Sequence, residues 1–192
     1  MKSKKYNIDP VTLRSMPFWC VGNPLGDPFG GPVLPKIDSI EVAKLLAAAA
    51  REGLIEATSF HDDDLVPWDP SRPNDDLDPK SETYAKLHAI KTILDQAGLV
   101  VNTATCGLHG NALFRKGGLT NPDPKLRALA RKKVERTLRI GAFFGAKHYT
   151  YWVARDGFEV PVNVDWKKVY SWLADGLNGV YDYIKDKKLD NY

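Results

Sequence analysis
His61 is followed without a break by three carboxylates, in the string Phe60-His61-Asp62-Asp63-Asp64-Leu65-Val66-Pro67. Imidazole and carboxylate together are the residue types of proton transfer near neutrality, because histidine titrates at about pH 6.5. Three acids are also the types of a divalent-cation cluster, but consecutive side chains point in different directions, which argues against a tight site. A solvated loop would have the same composition, so the string has to be weighed in its context. Trp19 and Trp152 serve equally as core aromatics or as walls of a pocket. His88 falls on a helix that packs outward and His148 alternates with Tyr149 in a strand; both read as structural. Cys20 and Cys106 show neither CxxC nor zinc spacing. No GxGxxG follows the first strand, so a dinucleotide site has no support.

The elements that must position these residues alternate. Strands are predicted at Met16–Val21, Leu54–Phe60, Leu99–Thr105 and Ala146–Val153. The first helix is capped by Asp38 or Ser39, with Glu41 placed for a capping box, and buries Val42, Leu45, Leu46 and Ala49. The second opens at Ser81, with Tyr84, Leu87, Ile90 and Leu94 at helical spacing. The third opens near Pro124 and aligns Leu126, Ala130, Val134 and Leu138. The fourth begins at Asp165 and carries the clearest apolar stripe: Trp166, Val169, Tyr170, Leu173, Leu177, Val180, Tyr181 and Ile184. Gly53 and Gly98 close the first two. Fourfold β-α alternation implies a parallel sheet with right-handed crossovers. Loops after strands are long and rich in aromatic, His and Asp residues, while loops after helices are tight, which is the asymmetry of a (β/α) barrel. The expected fold is α/β, a partial TIM barrel of about four βα units, in one domain over residues 1–192.

Apolar residues at 43% and charged residues at 27% describe an ordinary globular chain of 192 residues, long enough for a hydrophobic core. A net charge of +3 is too small for a nucleic-acid footprint. The basic stretch from Lys125 to Arg139 reads as the solvated face of a helix. No apolar run approaches the roughly 18 residues that span a bilayer. Without a secretory h-region after Met1 to Pro10, a reduced cytoplasmic setting is expected.

The string around His61 resembles the active-site segment of the shorter, actinobacterial-type xylose isomerases. Collinear motifs accompany it: Trp19-Cys20-Val21-Gly22, Asp27-Pro28-Phe29-Gly30, Phe114-Arg115-Lys116-Gly117-Gly118-Leu119-Thr120, Gly145-Ala146-Lys147 and Tyr151-Trp152. The chain is therefore similar to the N-terminal half of that family. The resemblance implies that His61 acts in opening the cyclic sugar, oriented by Asp64. It also implies that Trp19 and Trp152 wall the sugar, that Thr105 lines the site, and that Phe29 enters the site of a neighbouring subunit. Arg155 and Gly157 match a family pattern after the fourth strand.

Three departures qualify the resemblance. Thr105-Cys106-Gly107-Leu108-His109 stands where the family commonly has Thr-Thr-Asn-Leu-Phe, and Val153-Ala154 replaces a pair of glycines. The family also holds two divalent cations (Mg, Mn or Co) on strands five to eight, and its catalytic Lys lies on strand five, whereas this sequence reaches only Leu189-Asp190-Asn191-Tyr192. The resemblance thus implies neither metal ligands nor cofactor, and no isomerisation by the isolated chain, since the hydride shift needs Lewis-acid polarisation. A half barrel leaves its inner face and sheet edges uncovered. A homodimer covering that face is expected; a C-terminal half supplied by another chain, or a ligand-free structural role, are the alternatives. No nucleic-acid or membrane partner is expected.

Overall fold
The computed structural model describes residues 13–22, 37–71, 76–153, 162 and 164–189. Phe29, Arg155 and Gly157 lie outside the described residues. The order of elements is α1 (Phe18–Gly22), α2 (Ser39–Arg51), β1 (Ala57–His61), α3 (Asp62–Leu65), α4 (Glu82–Gln96), β2 (Val100–Thr105), a 3-10 turn at Ala112–Phe114, α5 (Pro124–Phe143), β3 (His148–Thr150) and α6 (Trp166–Asp186). The three strands form a parallel sheet in the order β1-β2-β3. The fold is α/β, as the alternation predicts. No helix among the described residues is long and apolar enough to cross a membrane.

The strand expected at Met16–Val21 is not formed. Ser15 makes a single parallel bridge to Ala57, and the Met16 amide donates to the Ala57 carbonyl at 3.1 Å. Pro17 then has no N–H to continue a ladder, and α1 begins at the next residue. Phe18 turns into the core instead, edge-on to Phe60 with ring centroids 6.4 Å apart. The predicted strand at Ala146–Val153 shortens to three residues at the sheet edge, its end level with the end of β2 (Thr105 opposite Thr150).

Each long helix starts on a carboxylate or hydroxyl cap. Asp38 accepts from the Ile40 amide, Ser81 from Tyr84, Asp123 from Lys125 and Asp165 from Lys168. Glu41 pairs with Lys44 at 2.6 Å, so it closes no capping box. The buried stripe of α2 is Val42, Ala43, Leu46 and Ala47, while Leu45 is exposed. The stripe is rotated by about one residue because the helix must face both α1 and α4.

Each of these helices ends alike. Leu54 donates to the Ala49 carbonyl, Leu99 to Leu94, Ala146 to Gly141 and Leu189 to Ile184, all within 2.9–3.1 Å. The residue before each donor sits in the left-handed region: Gly53, Gly98 and Gly145 at φ near 70°, and Lys188 at φ 50°. This is the Schellman closure, and it turns the chain sharply back to the sheet.

The sheet has two unlike faces. Phe60, Ala104 and Tyr149 share a register row and pack with the helices. Side chains alternate along each strand, so Ser59, Thr103 and His148 in one row and His61, Thr105 and Thr150 in another share the opposite face. That face is polar: Ser59 and Thr105 on it are buried, His148 and Thr150 exposed. On α6, Trp166, Tyr170, Leu177 and Tyr181 are exposed while Val169 and Val180 are buried. The stripe predicted to bury all of them is only half covered.

Lys188 is the only described non-glycine residue with positive φ. A left-handed β-carbon costs about 1 kcal/mol, so Lys188→Gly should raise the unfolding free energy by about that amount, read as a higher denaturant midpoint at unchanged slope.

Candidate active site
His61 ends β1 and begins α3, so its side chain sits at the C-terminal edge of the sheet while its backbone opens a helical turn. The His61 amide donates to Asp64 Oδ2 at 2.7 Å, and His61 Nδ1 lies 3.2 Å from the same oxygen. A carboxylate can only accept, so Nδ1 carries the proton and Nε2 is the ring nitrogen left to meet a ligand. One carboxylate thereby fixes both the backbone turn and the ring tautomer. The Trp19 ring packs against the His61 ring with centroids 4.5 Å apart. Thr105 is the in-register partner of His61 on β2 and is buried. The structure brings Trp19, Asp64 and Thr105 to His61. Trp152 is not: it stands exposed beyond the end of β3, and no ring contact joins it to His61 among the described residues.

His109 was missed. It follows β2 and places its ring 5.4 Å from that of His61, nearly edge-on. Its distance from His61 in sequence conceals this; only the parallel pairing of β1 with β2 shows that their following loops must meet.

Beneath the site lies a buried ion cluster. Lys133 Nζ is 2.6 Å from Asp62 Oδ2 and 2.8 Å from Asp63 Oδ2. Arg136 Nη1 is 2.6 Å from Asp62 Oδ2, its Nε is 2.7 Å from Asp76 Oδ2, and its Nη2 donates to the Val66 and Pro67 carbonyls. The side chains of Lys133, Arg136 and Asp62 have 0% exposure. The expectation that Lys125 to Arg139 is a solvated face therefore fails at these two positions. Lys133 and Arg136 fall on the same side of α5 as Ala130, Val134 and Thr137, and there the carboxylates that follow His61 compensate their charge.

The two acids differ. Burial pushes the Asp62 carboxyl up, but Lys133 and Arg136 outweigh it and hold Asp62 below the ordinary carboxylate value. Burial and then the Asp62 charge push Asp63 upward, against Lys133 and Arg136. Burial lowers the affinity of Lys133 and Arg136 for their protons, yet the facing carboxylates raise both above their usual values. Cys106, wholly buried beside the cluster, is pushed up to about 12 by burial and stays a thiol.

Gly107 closes the cluster from β2's loop, its amide donating to Asp62 Oδ1 at 2.8 Å. A β-carbon there would lie 2.9 Å from Asp63 Oδ2 and 3.4 Å from Asp62 Oδ1. The absence of a side chain is thus what lets the backbone reach the carboxylates.

The same contacts bear on metal binding. Asp62 and Asp63 are engaged by cations of the chain itself, and among the described residues no group of three or more His, Cys, Asp or Glu could hold a metal ion.

No family model matches the chain. Among curated proteins, the xylose isomerase of Thermus thermophilus is 34% identical over 182 residues, covering 95% of this chain and 44% of that protein. The xylose isomerase of Thermus caldophilus matches with the same identity and coverage. The chain spans less than half the length of these relatives, and the resemblance drawn from its motifs is borne out over nearly all of its own length.

Asp62→Asn strips a buried cation pair of its main counter-charge and should cost about 3–5 kcal/mol. Asp63→Asn removes a charge its surroundings disfavour and should change stability by less than about 1 kcal/mol. The sign with pH follows. Asp62's contribution is complete above the unfolded carboxylate value of about 3.9 and is lost as pH falls through its lower folded value; the raised Asp63 opposes this, its penalty easing as pH falls. Below about pH 4, urea midpoints should therefore fall more steeply for the parent chain than for Asp62→Asn. Gly107→Ala should cost about 1–3 kcal/mol by forcing the carboxylates apart, measured by the same titration at pH 7.

Proposed function
We propose, from the homology of this chain to part of the xylose isomerases, that it binds a small aldose on the polar edge of its sheet and does not isomerise it unaided. The observation that carries the reading is the joint placement of Trp19, His61 and Asp64. An aromatic ring supplies the apolar wall that sugar C–H groups favour. Beside it stands an imidazole whose tautomer is set by a carboxylate and whose Nε2 is available to a hydroxyl. His61 and Asp64 are each less than one-fifth exposed, open enough for a ligand and dry enough for a directed hydrogen bond. Thr105 adds a hydroxyl at the level of His61.

In this reading the chain forms part of a TIM barrel and supplies the sugar-opening side of a site. The cations and the lysine that drive the hydride shift belong to residues other than those described here. Isomerisation then requires a complementing half, from the same or another chain.

A second reading, self-association, is supported by α6. Trp166, Tyr170, Leu177 and Tyr181 recur at helical spacing and are all exposed, the pattern of a helix face with a partner. A homodimer through this helix is the economical form of it. Sedimentation at micromolar concentration should give a dimer, and Tyr170→Lys with Tyr181→Lys a monomer.

The central test is the purified chain with α-D-xylose, assayed with Mg, Mn and Co after removal of host isomerase. Saturation-transfer NMR should detect sugar binding that weakens in Trp19→Ala, with no ketose formed. Co-expression with the remaining portion of a Thermus relative should restore ketose formation. Metal-dependent turnover by the chain alone would refute the reading.

A further inference from the structure
The charges beneath His61 do not balance among the described residues. Lys133 and Arg136 face three carboxylates, Asp62, Asp63 and Asp76, which leaves one negative charge in excess. Two consecutive acids lean on one ammonium: Lys133 Nζ is 2.6 Å from Asp62 Oδ2 and 2.8 Å from Asp63 Oδ2. Arg136 Nη1 reinforces Asp62 at 2.6 Å and lies 3.7 Å from Asp63 Oδ1. Asp63 is also the member that water reaches. Its side chain is 37% exposed, against 8% for Asp76 and 0% for Asp62, Lys133 and Arg136.

Excess charge in a dry cluster is relieved most readily by a proton on the acid that both crowds another acid and meets water. That acid is Asp63. Burial and the charge of Asp62 push its carboxyl above the ordinary value, against Lys133 and Arg136. Burial also raises Asp62, but the same two cations outweigh it and hold Asp62 below. The Cys106 thiol, from the segment after β2, is pushed up to about 12 and stays neutral. Lys133 and Arg136 keep their protons more firmly than usual, so neither supplies one to Asp63.

Asp63 lies within α3, the single turn that His61 caps and Asp64 closes. We propose that Asp63 is a proton switch for this turn: in mild acid it takes up one proton, the cluster becomes neutral, and α3 closes more firmly on the end of β1. The proton adds to a carboxylate oxygen, and the hydronium that delivers it becomes water. Uptake ends the repulsion between consecutive carboxylates and leaves Asp62 without a charged competitor for Lys133. Two amides report it, because they donate to the acids on either side of Asp63. The His61 amide reaches Asp64 Oδ2 at 2.7 Å, and the Gly107 amide reaches Asp62 Oδ1 at 2.8 Å. The switch acts on how the turn presents His61 and stands apart from the sugar-binding reading.

NMR of the full chain labelled with carbon-13 aspartate tests the switch between about pH 8 and pH 4. Backbone hydrogen exchange, corrected for its intrinsic pH dependence, is followed on the same samples. The carboxyl signal that disappears in Asp63→Asn should titrate above the ordinary value of about 3.9. For each unit of that elevation, protection of the His61 and Gly107 amides should rise by up to about tenfold as Asp63 gains its proton. The Leu54 and Gly98 amides, at helix ends on the opposite edge of the sheet, should keep theirs. Asp63→Asn should show the higher protection at both ends of the range. An Asp63 carboxyl that titrates at or below about 3.9 would overturn the switch. A raised titration with unchanged His61 and Gly107 protection would overturn its coupling to the turn. So would protection that follows the ring signals of His61 or His109 instead of the Asp63 carboxyl. These outcomes are read on the parent chain, and Asp63→Ser replaces Asp63→Asn for assignment if the latter does not fold.

Discussion

Asp62 is withdrawn from solvent together with Lys133 and Arg136, and the geometry around His61 depends on their meeting. Two cations on α5 converge on one oxygen of a residue immediately after β1. Arg136 also reaches Asp76 and two carbonyls of the loop beyond α3, and Gly107 brings in the loop after β2. Three segments far apart in sequence are therefore tied to a single carboxylate. Unpaired, any of these charges would be prohibitive to bury; paired, they define where the loop after β1 lies. His61 precedes that anchor by one residue and Asp64 follows it by two, so the His61–Asp64 contact is built on a buried fixed point.

The sheet and the helix ends serve the same arrangement. Repeated Schellman closures bring each helix back to the sheet through a tight turn, leaving the longer loops at the opposite, C-terminal edge of the strands. There the in-register row of His61, Thr105 and Thr150 forms a polar ledge, approached by Trp19 from α1 and by His109 from the segment after β2. The apolar row of Phe60, Ala104 and Tyr149 faces the helices instead.

Much of this was legible in the residues. Asp38, Ser81 and Asp165 mark helix starts, and Gly53 and Gly98 mark ends, because caps act within a turn of chain. The string from Phe60 to Pro67 drew notice to His61 and Asp64, and the structure places Trp19 and Thr105 beside His61. The failures share another origin. Pro17 stopped a strand whose aromatic composition suggested continuation. Leu45 and half of the α6 stripe had the right spacing, but no described neighbour covers them. Lys188 occupies a left-handed position that composition alone assigns to glycine.

By itself the sequence determined the alternation of elements, most helix boundaries, the kinship with part of the xylose isomerases, and the local contact of His61 with Asp64, three residues away. These depend on interactions within a few residues or on motifs read in order. Only the tertiary structure decided that Lys133 and Arg136 are buried rather than solvated, that Gly107 is a point of contact with carboxylates, and that His109 stands beside His61. Each of these joins positions more than 40 residues apart. The energy of such a pairing depends on how completely water is excluded when the segments meet, and no local pattern of residue types carries that quantity.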